Sequence, residues 1–373
     1  MVFRSRRKIY CSHPEIRDTL GPAMLQSDIE EIVRRLHDPA AAFANKTILV
    51  TGGRGFLGRY FTLALIGLNK TVLKKSPCRI VVLDNLITAG KDGSREERLP
   101  RCRIIKQDVT KALKVPGKAH FILHAAGIAS PFYYRAYPLE TLEVATAGTK
   151  NMLELAREHQ ARVLFFSSSE IYGDPDPRYV PIQESYRGNV SCQGPRACYD
   201  ESKRLGETLC YIYHELHGVS VSTVRPFNVF GPGMQESDYR VLPNFASRIK
   251  SGNPLQVYGT GNQTRTFCYI TDAIVGFMLA LIKGVPGEAY NIGNPEPELS
   301  MLALVHEIEK ALKRKIPSVL SQYPDSYPAD EPLRRCPDIR KARLQIGFEP
   351  QVEFGEGLRR FLGWTDTVYT GKQ

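Results

Sequence analysis

Residues 51–58, TGGRGFLG, lie between a short β-branched segment, Thr47–Thr51, and a helical segment. Three glycines in this stretch have the spacing G-x-x-G-x-x-G: Gly52, Gly55 and Gly58. Between a strand and a helix, such glycines allow a tight turn, close approach of the backbone to a pyrophosphate, and close packing of the helix on the sheet. The first helical residues, Phe56 and Leu57, would present unpaired N–H groups to the phosphates. The stretch therefore predicts a dinucleotide-binding site.

Strand-like and helical segments alternate on the C-terminal side of this loop. Nearly all-apolar strands are expected at 47–51, 79–83, 103–106, 121–124, 162–166 and 219–224, and helices at 56–68, 139–158 and 199–217. Strands of this kind form parallel sheets that helices cover on both faces. The sequence therefore predicts an α/β fold with a Rossmann-type, doubly wound parallel sheet and a smaller C-terminal lobe.

An acidic residue ends the second predicted strand. Asp84, followed by Asn85, is placed to accept hydrogen bonds from the ribose hydroxyls of the dinucleotide. Because a carboxylate would repel a 2′-phosphate, Asp84 favours NAD over NADP. Asp108 and Val109 follow the third strand and could contact the adenine, although Asp108 could equally cap a short helix. Ala125, directly after the fourth strand, is a further expected cofactor contact, as are Tyr199 and Lys203 later in the chain.

Three regions are expected along the chain. Residues 1–45 should form a basic arm and then an amphipathic helix, which packs on the main body or on a second subunit. Its apolar residues share one face: Leu25, Ile29, Ile32, Val33 and Leu36. Residues 46–230 should form the NAD-binding domain and carry the catalytic residues. Beyond residue 230 glycines and prolines interrupt the pattern, so 231–373 should form a loop-rich, mainly substrate-binding lobe.

The composition is that of a globular protein. The 373 residues are 42% hydrophobic and 24% charged, which excludes disordered, collagen-like and small disulfide-rich classes. The net charge of +11 is compatible with an acidic small molecule, nucleic acid or a membrane surface as a binding partner, and also with a role in solubility alone. No apolar run reaches the ~18 residues of a membrane helix. A nucleic-acid-binding protein would show a stripe of basic residues interleaved with aromatic residues, whereas this sequence has only a short basic cluster at residues 4–8. We therefore expect neither a membrane nor a nucleic-acid partner.

The eight cysteines are scattered along the chain and include no C-x-x-C pair. In a long chain without a secretory signal, this spacing favours reduced thiols over disulfides or a zinc site. We therefore expect no metal and a cytoplasmic location.

Two further motifs predict catalytic chemistry. Tyr199 and Lys203 are four residues apart on a predicted helix and share one face. A lysine cation near a phenol favours the phenolate, which can then act as a base. The fifth strand ends in Ser167-Ser168-Ser169-Glu170, at the end of a parallel strand where ligands bind. A Tyr-x-x-x-Lys pair alone is often just a surface helix pair, but its occurrence after a glycine loop and a serine-rich strand end indicates an active site.

From about Lys46 to Leu362 the chain resembles the extended short-chain dehydrogenases/reductases, and most closely the UDP-glucuronate decarboxylase (UDP-xylose synthase) family. The resemblance rests on SSEIYGD (168–174), GPRACYDESKR (194–204), RPFNVFGP (225–232), VYGTGNQTRTFCY (257–269) and RCPD (335–338). The second of these strings is far more specific than Tyr-x-x-x-Lys alone.

The residue pair Ser169-Glu170 distinguishes this family from its relatives. Sugar-nucleotide 4,6-dehydratases have an Asp-Glu pair there, whose Asp protonates the leaving hydroxyl, and 4-epimerases usually lack the Glu. The serine removes that acid, and Arg335 suits a substrate that carries an additional carboxylate. A 4-epimerase or 4,6-dehydratase with altered outcome remains the alternative, as does a catalytically idle protein that binds NAD or a nucleotide sugar.

The resemblance implies a role for each site residue. Tyr199, assisted by Ser168 and Lys203, would remove the proton from the sugar O4, and Glu170 and Ser169 would position the sugar and assist protonation at C5. The substrate, a UDP-uronate such as UDP-glucuronate, would be held by Tyr134, Glu170, Asn228, Val257, Tyr258, Arg265 and Arg335. Tightly bound NAD is the implied cofactor, UDP-xylose or the UDP-4-keto-pentose the implied product, and a homodimer the implied assembly.

Departures from the family pattern cluster around the sugar. The usual Ser-Pro-Pro-Asn-Tyr segment is Ser130-Pro131-Phe132-Tyr133-Tyr134 here, and Ser168 replaces a usual threonine. These differences leave open which uronate is used and whether the 4-keto intermediate is released.

Overall fold

A computed structural model describes residues 26–89, 99–323 and 332–371. Its strands are β1 (Thr47–Thr51), β2 (Arg79–Asp84), β3 (Cys102–Lys106), β4 (Phe121–His124), β5 (Arg162–Phe166), β6 (Val221–Pro226), β7 (Val229–Phe230), β8 (Leu255–Tyr258), β9 (Thr264–Arg265), β10 (Cys268–Tyr269), β11 (Ala289–Ile292), β12 (Leu299–Ser300), β13 (Ser318–Ser321) and β14 (Arg334–Arg335). Its α-helices are α1 (Gln26–Arg35), α2 (Phe56–Lys70), α3 (Pro131–Ala136), α4 (Pro138–Glu143), α5 (Thr149–His159), α6 (Ala197–His217), α7 (Val241–Ser251), α8 (Ile270–Lys283), α9 (Met301–Leu312), α10 (Arg340–Ile346) and α11 (Phe354–Val368).

Seven strands form one parallel sheet in the order β11-β6-β5-β4-β1-β2-β3. Alternate residues of β1 enter two different cores, because Ile48 and Val50 pack with α2 and α8 whereas Leu49 packs with α5 and α6. Burial on both faces explains why the three central residues of the strand, Ile48 to Val50, are all apolar. The predicted doubly wound α/β fold is confirmed.

The strand order reverses beside β1, which pairs with β2 on one side and with β4 on the other. The loops that follow β1 and β4 therefore leave the sheet in opposite directions and open a crevice at the carboxyl ends of these strands. Gly52 begins the first of these loops, and Ala125 begins the second.

The sheet extends beyond the expected boundary at residue 230. Strand β11 comes from the C-terminal segment and pairs with β6, and α8 covers the same sheet. The predicted helix over 139–158 is also divided, since α4 and α5 are separated by a π-helical turn at Val144–Gly148. Small sheets supply the lobe over the cleft: β7 with β10, β8 with β13, and β9 with β12 and β14. The functional division at residue 230 stays a prediction.

The predicted N-terminal amphipathic helix is α1, which packs on α2 and α8 of the same chain. It buries Ile29, Ile32 and also Asp28. The Asp28 carboxylate accepts hydrogen bonds from the hydroxyls of Tyr60 (3.2 Å) and Tyr269 (2.9 Å). Burial raises the pKa of Asp28 to about 6. Leu25, the basic arm and Cys11 lie outside the described residues.

None of the seven cysteines in the described segments forms a disulfide with another of them. Within those same segments, no helix is long and apolar enough to span a bilayer, and no three His, Cys, Asp or Glu side chains are grouped to hold a metal ion.

Candidate active site

One cleft, at the carboxyl ends of the sheet strands and beneath the C-terminal lobe, is lined by every residue that the sequence assigned to the site. The predicted cofactor set comprises Gly52, Gly55, Phe56, Leu57, Gly58, Asp84, Asn85, Asp108, Val109 and Ala125, together with Tyr199 and Lys203. The predicted catalytic and substrate-binding residues are Tyr134, Ser168, Ser169, Glu170, Tyr199, Lys203, Asn228, Val257, Tyr258, Arg265 and Arg335. Their chemical roles stay predictions, and the structure brings the sequence motifs together at a single cleft.

The glycine loop leaves no room for side chains on its inner side. Gly52 has a φ of +66°, and a Cβ there would lie 2.8 Å from the Cα of Ala126. A Cβ on Gly58 would lie 2.0 Å from the carbonyl oxygen of Gly52. Gly55 stands at the N-terminus of α2, so the helix begins at the cleft. The loop and helix therefore form the backbone cradle that a dinucleotide pyrophosphate requires.

Asp84 is held at the end of β2 by two backbone amides. Its Oδ2 accepts from Arg54 N (2.8 Å) and its Oδ1 from Leu86 N (2.7 Å). Burial raises the pKa of this carboxyl, although the two hydrogen bonds oppose that effect. Asp108 accepts from Thr110 N (2.9 Å), so it caps its own loop while also lining the cleft. Both locations fit the adenosine half of NAD.

Tyr199 and Lys203 lie on the first turns of α6 and are both buried. The Lys203 Nζ donates to the carbonyl oxygen of Phe166 (2.7 Å) and lies 5.7 Å from the centre of the Tyr199 ring. Burial lowers the pKa of Lys203 to about 8. Burial also raises the pKa of Tyr199, while a hydrogen bond with Ser168 opposes the rise. Desolvation is the larger effect and the net pKa of Tyr199 is raised in this arrangement, so the expected assistance from the Lys203 cation stays a prediction.

Glu170 lies in the 3₁₀ turn Ser169–Tyr172, directly after β5. Its two oxygens contact two guanidinium groups: Oε1 that of Arg335, and Oε2 that of Arg196. Ser169, beside it, is buried. Arg335 was expected to orient a substrate carboxylate, and in this structure it pairs with a protein carboxylate instead.

The other substrate-side residues belong to the C-terminal lobe or to the loop before it. Arg265 is 6% exposed and donates to its neighbour's carbonyl, Thr264 O (2.7 Å), so it is not a surface ion-pair residue. Asn228 has a φ of +40°, and its amide closes the loop by donating to Thr266 O (2.9 Å). Val257 and Tyr258 are in β8, where the Tyr258 ring lies 5.6 Å from that of Tyr323.

The segment that departs from the family pattern forms part of the cleft wall. Tyr134 stacks on Tyr199, with ring centres 5.3 Å apart. The Tyr133 hydroxyl donates to Gln235 Oε1 (2.9 Å), and Gln235 in turn donates to Thr88 O (2.8 Å). These contacts join the segments after β2 and β4 to the loop after β7.

His124 has a structural role at the end of β4. It is buried at the end of β4, with its two ring nitrogens 2.8 Å from Thr51 Oγ1 and 3.2 Å from Thr149 Oγ1. Burial lowers the pKa of His124 to about 3, so the imidazole is neutral.

The cleft is also lined by residues that the sequence did not assign to the site, among them Arg196, Gln235 and Tyr323. Arg196 stands in the GPRACYD string, where an arginine three residues before the tyrosine was a usable signal. Gln235 and Tyr323 lie in irregular segments whose position over the cleft depends on the fold of the whole lobe.

Comparison with known proteins places the chain in context. Residues 48–293 match the model of the NAD dependent epimerase/dehydratase family. UDP-glucuronic acid decarboxylase 6 of Arabidopsis thaliana is 40% identical over 316 residues, which are 84% of this chain and 87% of that protein. UDP-glucuronic acid decarboxylase 1 of Xenopus tropicalis is 37% identical over 359 residues, covering 91% and 81% of the two chains.

Among solved structures, the dTDP-glucose 4,6-dehydratase DesIV from Streptomyces venezuelae, with NAD bound, has a TM-score of 0.74 at 26% identity. The match covers 86% of this chain and 97% of DesIV. A UDP-glucuronic acid 4-epimerase from Bacillus cereus, at 23% identity and a TM-score of 0.74 over 87% of this chain and all of that one, shares the fold. The chain belongs to the NAD dependent epimerase/dehydratase family.

Proposed function

We propose that this protein is an NAD-dependent decarboxylase of a UDP-uronate, with UDP-glucuronate as the substrate and UDP-xylose or the UDP-4-keto-pentose as the product. Relatives at 37–40% identity over most of the chain bear the name UDP-glucuronic acid decarboxylase. The observation that carries the proposal is a chain of contacts in the cleft, from Tyr199 through Ser168 and Glu170 to Arg335.

This chain of contacts matches the chemistry of a uronate. Ser168 hydrogen-bonds Tyr199 and also accepts from Glu170 N (3.2 Å), and Glu170 contacts the buried guanidinium of Arg335. Tyr199, the group expected to transfer a proton, is thus linked to the Arg335 cation through Ser168 and Glu170. In a uronate the O4 hydroxyl and the carboxylate are attached to adjacent ring carbons, so one sugar can reach Tyr199 with O4 and Arg335 with its carboxylate.

The residues that would hold NAD are the glycine loop, the start of α2, Asp84 and the Lys203 side chain. When bound, NAD supplies the hydride acceptor for C4 and the donor for the later reduction, and its oxidised ring adds a positive charge. Tyr199 receives the O4 proton, and Ser168 orients the hydroxyl by hydrogen bonding. Lys203 carries a positive charge below about pH 8, which favours the phenolate.

Carbon dioxide leaves because a ketone at C4 is β to the carboxylate. The C5–C6 bond breaks, its electron pair passes to the C4 carbonyl oxygen, and C5 then accepts a proton. Tyr199, once protonated, stabilises the developing charge on O4 by donating to it. Glu170, which would keep its contact with Arg196 when the uronate carboxylate occupies Arg335, is suited to positioning the sugar and a water molecule at C5 rather than to donating its own proton.

Product analysis tests the proposal. The NAD-loaded protein is incubated with UDP-glucuronate, and the sugar nucleotides are analysed by mass spectrometry. We expect loss of one carbon dioxide, and the remaining mass separates the UDP-pentose from its 4-keto form. An unchanged mass with a new stereoisomer would indicate 4-epimerisation, and loss of water would indicate dehydration. Unchanged substrate at high protein concentration would contradict enzymatic activity on this compound.

The Tyr199→Phe variant tests the assignment of the base. Because the ring and its stacking on Tyr134 are kept, NAD binding and folding should persist. Turnover should fall by about 10²–10⁴-fold, the usual contribution of general acid–base catalysis. Full turnover by this variant would refute the assignment.

We also propose a cytoplasmic homodimer. The exposed face of α6 supports the dimer, since Leu205, Ile212 and Leu216 share one side of the helix and are between 38% and 72% exposed. Light scattering of the purified protein tests this assembly, and a mass equal to one chain would contradict it.

A further inference from the structure

Arg196 occupies a position that is unfavourable for a cation. It directly precedes α6, at the end of the helix where the dipole is positive, and it is only 8% exposed. Both the dipole and the loss of hydration act against a guanidinium there. Such a residue is stable only with strong partners, so its partners indicate what it does.

Two carboxylates surround Arg196. Its Nη2 contacts Glu170 Oε2, and its Nε lies 3.4 Å from Asp200 Oδ2, one turn further along α6. The other oxygen of Glu170 contacts Arg335. The four side chains thus form a cluster with two positive and two negative charges, in which Glu170, whose side chain is 22% exposed, is shared between two arginines.

We propose that Arg196 is a positioning residue that allows the substrate carboxylate to replace Glu170 on Arg335. The inference rests on the proposed function. When a uronate enters, its carboxylate pairs with Arg335, and Glu170 stays in place because Arg196 retains Oε2. The freed Oε1 then faces the sugar. A neutral hexose has no carboxylate to make this exchange, so the cluster selects uronates.

Arg196 matters to the exchange because it shares the Glu170 charge. If Arg196 is removed, Glu170 keeps only its described ion pair with Arg335, and its charge is no longer shared. The ion pair between Glu170 and Arg335 is then stronger, so the substrate carboxylate displaces Glu170 less easily. Conversely, a neutral amide in place of Glu170 would leave Arg335 more available. Removal of an active-site acid is therefore expected to tighten binding of the acidic substrate.

Binding measurements test this exchange. All variants carry Tyr199→Phe to prevent turnover and are loaded with NAD, and calorimetry gives the Kd of UDP-glucuronate, UDP-glucose and UDP. Glu170→Gln should lower the Kd of UDP-glucuronate about tenfold, and Arg196→Met should raise it about tenfold, the range of one charge-assisted hydrogen bond. Both variants should leave the Kd of UDP-glucose and of UDP within about threefold.

A double variant shows whether Arg196 acts through Glu170. If it does, Arg196→Met should have no further effect on the Kd of UDP-glucuronate once Glu170→Gln is present. Arg196→Lys should restore part of the preference for the uronate. Arg157→Met, which removes an exposed ion pair with Glu154, is the matched control and should leave the Kd of all three ligands unchanged.

The outcomes separate the inference from the proposed function. Equal weakening of all three ligands by Arg196→Met, or a Glu170→Gln variant that binds UDP-glucuronate no more tightly, would overturn the exchange. If Arg196→Met does not fold, the Glu170→Gln result decides alone. Failure of the proposed function would instead show as no release of carbon dioxide by the protein with Tyr199 intact.

Discussion

Alanine in place of Gly58 tests the inference that the loop after β1 is a cofactor cradle. Gly58 lies in the first turn of α2, where helix propensity alone predicts that alanine stabilises the protein by about 0.5–1 kcal/mol. The structure predicts the opposite sign. The added Cβ would lie 2.0 Å from Gly52 O and 2.5 Å from the Cα of Gly53, and both atoms belong to the backbone.

The magnitude follows from how far the loop must move. Since carbon and oxygen atoms in contact require more than 3 Å, relief of the clash shifts the turn by about an ångström. Overpacking of this kind costs about 1–3 kcal/mol, which exceeds the gain from propensity. The same shift displaces the amides of Gly52 and Gly53 from the positions in which they could face a pyrophosphate. We therefore expect a loss of stability and at least about a tenfold loss of NAD affinity.

Denaturant unfolding and the NAD content of the purified protein measure these effects. Gly363→Ala is the matched control, because Gly363 lies inside α11 and a Cβ there meets nothing within 4 Å. The control should gain stability and bind NAD normally. A Gly58→Ala protein with wild-type NAD content and higher stability would refute the cradle.

Two further predictions concern pH. Burial lowers the pKa of Lys203 to about 8, so its positive charge is present below that pH and is lost above it. The value of kcat/KM should therefore fall as pH rises through about 8. A kcat/KM that stays constant up to pH 10 would contradict a role for the cation. Because the pKa of buried Asp28 is raised from 3.8 to about 6, its contribution to stability is full below pH 3.8 and is lost as pH rises through about 6. Asp28→Asn should therefore raise the free energy of unfolding, by as much as about 3 kcal/mol at pH 7.5 and by much less at pH 4, as measured by urea unfolding. If the variant instead lost more stability at pH 7.5 than at pH 4, the ion pair between Asp28 and Arg360 would be the dominant effect.

The sequence was most informative where a feature depends on neighbouring residues. Strand β1 was predicted with its observed bounds, because burial on both faces leaves a continuous apolar run. The glycine turn and the Tyr199–Lys203 spacing are likewise local, since one turn and one helix place those side chains.

Features that depend on distant residues could not be predicted in this way. Glu170 and Arg335 are 165 positions apart, and nothing in either local pattern indicates that they pair. The buried Asp28 resembled the polar side of an amphipathic helix, and only the packing of Tyr60 and Tyr269 around it explains its burial. The rise in the Tyr199 pKa could not be predicted from the spacing of Tyr199 and Lys203, because desolvation depends on the whole cleft.

Turnover of UDP-glucuronate in heavy water tests the central claim most directly. The protein is incubated with substrate labelled with ¹³C at C6, and both the released gas and the sugar nucleotide are analysed. The proposed chemistry predicts one labelled carbon dioxide for each substrate consumed and one deuterium at C5 of the UDP-pentose or its 4-keto form. A consumed substrate whose product keeps the ¹³C label would contradict decarboxylation by this cleft.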